Sequence, residues 1–280
     1  MAAERVTLVL GGGGMKGLAH VGAWRAVLES GIKVSEIVGT SIGALIGACI
    51  AGGLEHERLV SLARALLRTD IVVLNRWALL FNGIRQPSVF RDDTFRAYIE
   101  SVLPATTFAE LSIPLSMNAV DLESGRQEWF GAGGLMDVPL AEAVYASCAL
   151  PVFYPPAEIN GRYFVDGGVI DALPVGRAAE RGADRIIAVD VGAGQAGDAV
   201  GTVEKGMVAI HQRVMQIMGY ARKRAHLDAH GSASITYIRP HLDGYDTFDF
   251  TSTEYFLAEG YRAVHEALSG ATDEPREAAG

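Results

Sequence analysis

A serine held between two glycines, Gly39-Thr40-Ser41-Ile42-Gly43, is the pattern in this chain most able to do chemistry. A short apolar strand ending in Ile37-Val38 precedes it, and a helix of small residues from about Ile42 to Ala51 follows. A turn between two such elements is sharp, only glycines tolerate the close backbone approach it imposes, and the serine at its tip points outward. An exposed serine of this kind attacks acyl carbons and passes through a covalent intermediate. The usual α/β-hydrolase carries several strands before its nucleophile, whereas about one strand-helix unit fits before Ser41, so another topology is required.

A second pattern occupies that unit. Gly11-Gly12-Gly13-Gly14-Met15-Lys16-Gly17 follows an apolar strand and opens a helix. The G-x-G-x-x-G spacing at 12–17 raises a dinucleotide site. Such a site places an acidic residue at the end of the second strand, where this chain has Val38-Gly39-Thr40-Ser41. A glycine loop at a helix N-terminus also stabilises anions through its backbone N–H groups and the helix dipole. The oxyanion of an acyl-transfer intermediate is such an anion, and Gly12 to Met15 could offer two or three donors; a tight structural turn is the plainer reading.

A serine needs a group to take its proton, and the customary partner is histidine. The seven histidines are His20, His56, His211, His226, His230, His241 and His265, and none follows a strand in a convincing loop. His20 lies on the helix behind the glycine loop, placed to pack or to support it. Asp166-Gly167-Gly168 directly follows the apolar strand Arg162 to Val165 and is the better base, since a carboxylate within hydrogen-bond reach of the hydroxyl can act alone. In isolation an Asp-Gly pair marks a turn.

These three motifs, in this order, resemble the patatin-like phospholipase family. So does the block Ala146-Ser147-Cys148-Ala149-Leu150-Pro151-Val152-Phe153-Tyr154-Pro155-Pro156 before the aspartate. The resemblance covers about residues 5 to 270. It implies a three-layer α/β/α fold with a central, mostly parallel sheet and a Ser-Asp dyad that uses no histidine, metal or cofactor. By motif position Ser41 would be the nucleophile and Asp166 the base. Gly12, Gly13, Gly14 and Met15 would surround the oxyanion, with Lys16 where the family carries Arg or Lys, and Gly17, Gly39, Gly43, Gly167 and Gly168 supporting the motifs. The implied activity is a lipid acyl hydrolase of the phospholipase A, lysophospholipase or carboxylesterase type, serving lipid catabolism or membrane lipid remodelling. Acyl transfer by the same dyad and a non-catalytic lipid-binding role are the alternatives.

The rest of the chain must position these groups. Strands are expected at Val6 to Leu10, Val34 to Val38, Leu115 to Val120, Gln127 to Phe130, Arg162 to Val165, Ile186 to Val191 and Ser234 to Ile238. Helices are expected at Gly17 to Glu29, Ile42 to Ala51, Glu55 to Arg68, and near 139–148, 174–181, 203–229 and 252–268. Their alternation predicts an α/β fold with a sheet covered on both faces. Ile71 to Phe81, with Leu74, Trp77, Leu79, Leu80 and Phe81, could line an acyl channel or form a lid, core packing being the alternative, and the stripe Val203, Met207, Ile210, Val214 and Ile217 could be core or a lipid cradle.

A chain of 280 residues carrying a formal charge of -9 has length enough for one large core and the wrong sign for a nucleic-acid partner. Residues 5–270 are expected to form one domain, and 271–280, without apolar periodicity, a disordered extension. Arg222-Lys223-Arg224 reads as a solvated helix face or a contact for lipid headgroups. The uncharged stretch 37–54 approaches a membrane span in length, but its five glycines break it into core elements. Cys49 and Cys148 are the only cysteines, which fits two buried thiols in a reducing compartment. A cytoplasmic protein is expected, acting on a lipid or ester substrate and touching the inner membrane face peripherally; the sequence leaves the oligomeric state open.

Overall fold

The computed structural model describes residues 4–76, 80, 85–194, 197–229 and 235–270. In chain order its elements are β1 (Val6–Leu10), α1 (Ala19–Glu29), β2 (Val34–Gly39), α2 (Ile42–Ala51), α3 (His56–Ala65), α4 (Arg68–Ile71) and α5 (Asp93–Val102). Then come β3 (Leu115–Asp121), β4 (Gln127–Gly131), α6 (Leu140–Cys148), β5 (Ala157–Ile159), β6 (Arg162–Asp166), α7 (Val175–Glu180) and β7 (Arg185–Val189). The last are α8 (Ala199–Glu204), α9 (Met207–Ala229), β8 (Ile235–Ile238) and α10 (Thr253–Gly270).

The strands form one mixed, mostly parallel sheet in the order β5-β6-β3-β2-β1-β7-β8, with β4 on β3. β1 lies at its centre, parallel to both β2 and β7. Every residue of β1 is buried, as a strand covered on two faces requires. Leu8, Leu10, Ile187 and Val189 turn toward the larger core with α1, α2 and α6. Val9, Val38, Ile186 and Ala188 turn toward a smaller core that contains Val175 and Ala178 of α7. This period-2 alternation gives the layered α/β arrangement.

One register detail governs the site. β3 pairs with β4 over Ser116 to Val120, while β2 reaches Met117 and β6 reaches Ala119. A strand has two edges, so β2 and β6 must share the one that β4 leaves open. They run toward each other along it, and their C-terminal ends meet across the level of Asn118.

Several expected boundaries differ. The first helix is preceded by a 3-10 turn, Gly14–Leu18. The helix expected from Glu55 to Arg68 ends at Ala65; extended backbone at Leu66 and Leu67 separates it from α4. The long helix expected over 203–229 is two helices, broken where Gly206 adopts φ +87°. Helix α5 and strand β5 were not foreseen: α5 buries only Phe95, Ile99 and Val102 of its ten residues, and β5 is three residues long. Trp77, Leu79, Phe81, Ser234, His230 and the tail 271–280 lie outside the described residues.

Candidate active site

Ser41 stands between β2 and α2 with φ +56° and ψ -127°, a conformation that costs an L-residue about 1–3 kcal/mol and persists only when its surroundings enforce it. The enforcement is visible. Ser41 N–H donates to Ser147 Oγ at 2.9 Å, Thr40 N–H donates to the Leu10 carbonyl at 3.1 Å, and Thr40 Oγ1 donates to Asn118 Oδ1 at 2.8 Å. Gly43 lets α2 press on β1, since a Cβ there would collide with the Leu10 carbonyl. Gly39 faces the backbone of Gly43 and Ala44 at the same tight turn, and Gly17 packs on Ile42.

Asp166 closes β6 and meets Ser41 from the opposite direction. Its Oδ2 accepts the Ser41 hydroxyl at 2.7 Å, and its Oδ1 accepts the Gly168 N–H, also at 2.7 Å. The Asp166 N–H donates to the Ala149 carbonyl at 3.0 Å. Gly167 sits against Asn118, whose amide donates to the Asp171 carbonyl at 3.0 Å and thereby ties the elbow to the aspartate turn. Burial, at 3 % exposure, pushes the Asp166 carboxyl up to about 6, against the pull of the Ser41 hydroxyl and the Gly168 N–H. Desolvation disfavours the charged form, and hydrogen bonds to that form favour it.

The glycine loop lies beside the serine, with Gly12 packed toward Ser41 Cβ. Its first and last amides are already committed: Gly12 N–H donates to the Ala172 carbonyl at 2.9 Å and Met15 N–H to the Thr247 carbonyl at 2.8 Å. Of the four residues expected around an oxyanion, this leaves Gly13 and Gly14, whose N–H groups bond no other described residue. Gly14 has φ +64°, and a Cβ on it would strike Thr247. His20 is fully buried behind the loop with Nε2 at 2.8 Å from the Gly11 carbonyl. A ring nitrogen facing a carbonyl must carry the proton, so His20 is the Nε2–H tautomer, and burial pushes it down to about 4.

Ser41, Asp166 and the loop open into one pocket. One side is apolar, with Ile71, Phe95, Leu150, Tyr154 and Phe248; Phe95 and Tyr154 lie 5.0 Å apart, centroid to centroid. α9 lines the pocket as well, with Gln212, Met215, Gln216 and Tyr220. Here the structure corrects two readings of the sequence. The stripe Val203, Met207, Ile210, Val214 and Ile217 is neither core nor pocket wall but an exposed face, Met207 being 77 % accessible. Lys223 is no solvated cation: it is buried and paired with Asp190, while Arg222 donates to the Val169 carbonyl and Arg224 alone of the three is exposed. Of the stretch Ile71 to Phe81, Ile71 is buried and lines the pocket, whereas Leu74 and Leu80 are exposed.

Ser147, Asn118, Asp190 and Lys223 were missed as site residues. Ser147 carried a signal, since it stands in the proline-rich block, and Asp190 directly follows the apolar strand Arg185–Val189.

Among the described residues no helix is long and apolar enough to cross a membrane. The patatin-like phospholipase family model matches residues 8–179. An uncharacterized NTE family protein of Mycobacterium tuberculosis is 33 % identical over 198 residues, which is 71 % of this chain and 52 % of the relative. Lysophospholipase nte1 of Neurospora crassa is 28 % identical over 288 residues, 96 % of this chain and 18 % of the fungal protein. The chain thus spans about half the length of the mycobacterial relative and less than a fifth of the fungal one. Among solved structures, VipD from Legionella pneumophila superposes with a TM-score of 0.55 at 17 % identity, covering 95 % of this chain and 67 % of its own; that likeness concerns the fold.

Proposed function

This chain belongs to the patatin-like phospholipase family, and from that premise we propose that it hydrolyses fatty-acyl esters of lipids through an acyl-Ser41 intermediate with Asp166 as the base. The observation that carries the reading is the 2.7 Å hydrogen bond from Ser41 Oγ to Asp166 Oδ2, made in a pocket that Ile71, Phe95, Leu150, Tyr154 and Phe248 also line. A carboxyl held near 6 is ionised at neutral pH yet basic enough to accept a proton in the transition state, the compromise general-base catalysis favours.

As Ser41 Oγ attacks the carbonyl carbon, its proton passes to Asp166 Oδ2 and the carbonyl oxygen becomes an oxyanion beside the glycine loop. The free N–H groups of Gly13 and Gly14 receive it. Committed neighbours on both sides hold these donors in advance, so they need little reorganisation as charge develops, and each such donor is worth about 10²–10³ in rate. The tetrahedral intermediate collapses, Asp166 returns the proton to the leaving alcohol, and the acyl group stays on Ser41. Water then attacks with Asp166 again as base, and the fatty acid departs.

Lysophospholipase nte1 supports a lysophospholipid as one substrate. Two free, buried cysteines support a reducing, cytoplasmic setting, and the single sheet with its two cores supports residues 5–270 as one catalytic domain. A fluorophosphonate probe tests the central claim: it should label the native protein and leave Ser41→Ala unlabelled. Labelling of Ser41→Ala, or wild-type turnover of a p-nitrophenyl ester by a folded Ser41→Ala, would overturn it.

A further inference from the structure

Gln212, Gln216 and Tyr220 of α9 line the pocket that holds Ser41 and are half-buried there, yet neither carboxamide nor the phenol hydroxyl makes a hydrogen bond with any described residue. Tyr220 meets only Lys223 Nζ, 5.4 Å from the centre of its ring. The three stand four residues apart, so one edge of the helix carries them all, about 6 Å apart along its axis. The charged groups of the pocket are engaged elsewhere. Asp166 accepts from Ser41 and Gly168, and Lys223 is paired with Asp190. Lys16, 4 % exposed, faces Asp243 and Asp190 while burial pulls its pKa down. Polar groups that the protein leaves unmatched at a pocket wall are met by water or by a ligand. An ester has two ends, and its acyl end needs none of them. A fatty chain is matched by Ile71, Phe95, Leu150, Tyr154 and Phe248, and its carbonyl oxygen by Gly13 and Gly14. The alcohol end remains. A carboxamide both donates and accepts, as a hydroxyl and a phenol do, so this column suits neutral hydroxyl groups.

We propose that Gln212, Gln216 and Tyr220 form a subsite for the alcohol of the ester, and that it takes a polyol, the two carboxamides bracketing its neighbouring hydroxyls. The inference rests on the hydrolase reading and sharpens its substrate class: acyl esters of hydroxylated, glycerol-like alcohols over esters of simple alkanols. A site built to hydrogen-bond a hydroxyl discriminates against the analogue that lacks it, because its own polar groups are then left unpaired. None of the three residues sits on an element that carries Ser41, Asp166 or the glycine loop, so their loss separates recognition of the alcohol from the chemistry.

The test is a ratio. The kcat/KM for glyceryl monobutyrate is divided by that for propyl butyrate, which keeps the acyl group and the three alcohol carbons but lacks the hydroxyls. Methionine preserves the length of glutamine without its hydrogen bonds. Relative to the native protein, the ratio should fall about threefold in Gln212→Met or Gln216→Met and about tenfold in the double variant, the range that one and two neutral hydrogen bonds span. An unchanged ratio in a double variant that still takes the fluorophosphonate label overturns the subsite. Should the double variant fail to take the label, competition in the native protein decides. 1-O-octylglycerol, whose ether link is not hydrolysed, is set against 1-octanol as an inhibitor of p-nitrophenyl butyrate hydrolysis. Stronger inhibition by the glycerol ether supports the subsite, and equal or weaker inhibition overturns it. If the native protein turns over no ester, the hydrolase reading has failed by itself, and calorimetric titration with 1-O-octylglycerol then decides the subsite. Binding that is weakened in the double variant supports it, and binding that is absent, or equal in both proteins, overturns it.

Discussion

Two of the walls of the pocket are built on different principles. On the sheet side, Ser41, Asp166 and the glycine loop hang from the ends of β1, β2 and β6, and their positions are set by backbone hydrogen bonds to Leu10, Ala149, Ala172 and Thr247. On the helical side, α9 offers long side chains, is half exposed along much of its length, and is tied down through Lys223 to Asp190 and Arg222 to Val169. Backbone that several strands fix together holds reacting atoms within the tolerance chemistry needs. Side chains on one helix can be exchanged without disturbing that frame. The sheet wall should therefore decide how fast an ester is cleaved, and the α9 wall which ester is cleaved.

The hardest blow to the sheet wall is Asp166→Asn. Turnover of a p-nitrophenyl ester should drop by about 10²–10⁴, the worth of a general base. In the native protein, kcat should decline below about pH 6, where Asp166 protonates. Stability should move the other way. A carboxyl raised from 3.8 to about 6 holds its proton more tightly folded than unfolded, so its contribution is fully present below pH 3.8 and is lost as pH rises through 6. At neutral pH the buried charge costs roughly 3 kcal/mol, taking about 1.4 kcal/mol for each pKa unit. The asparagine can still accept from Gly168 N–H and can donate to Ser41, so Asp166→Asn should melt several degrees above the native protein at pH 8. Thermal scans should show that gain closing toward pH 4. A variant equally inactive but less stable at every pH would mean that Asp166 is held for the fold and not against it.

His20→Ala strikes the same wall one step back. His20 clamps the Gly11 carbonyl while Ala172 clamps the Gly12 amide of the same peptide unit, immediately before the free donors. Loss of the clamp should lower kcat about tenfold, a fraction of what losing an oxyanion donor outright costs, with KM little changed. His20→Gln places an amide N–H near the same carbonyl and should restore most of kcat. Because burial keeps His20 neutral down to about 4, the acid limb should keep its midpoint in both variants. A rise in KM at constant kcat would place the loop among the selectivity elements and break the division between the walls.

That division also separates what could be read in the sequence from what could not. Ser41, Asp166 and the glycine loop each announce themselves within a few residues, because a sharp turn demands glycine at fixed offsets. Asn118 and Ser147 hold the same turns from 78 and 106 residues away; the register of β3, with β2 and β6 on one edge, brings Asn118 there, and Ser147 comes from the last turn of α6. The α9 stripe was legible as an amphipathic face, but periodicity says which residues share a side and not what that side meets. Arg222-Lys223-Arg224 shows the same limit: the middle residue turns to Asp190, and three consecutive charges on a helix never share an environment. The break at Gly206 was within reach, since a glycine inside a helical pattern is a known interruption.

The smallest expected effect falls on α9 and tests the other half of the comparison. Met215 lines the pocket from a helix whose opposite face is open to solvent, and a flexible thioether fills irregular space without fixing anything around it. Met215→Ala should leave kcat/KM for p-nitrophenyl butyrate within about threefold, because a short chain needs little of that wall and one lost apolar contact is worth only about 1–3 kcal/mol even when fully used. With a series of longer p-nitrophenyl esters the optimum should shift toward bulkier acyl groups as the pocket gains room. A uniform loss across the series would instead mean that α9 helps to hold the dyad, and that Lys223 and Asp190 link one working wall rather than join two.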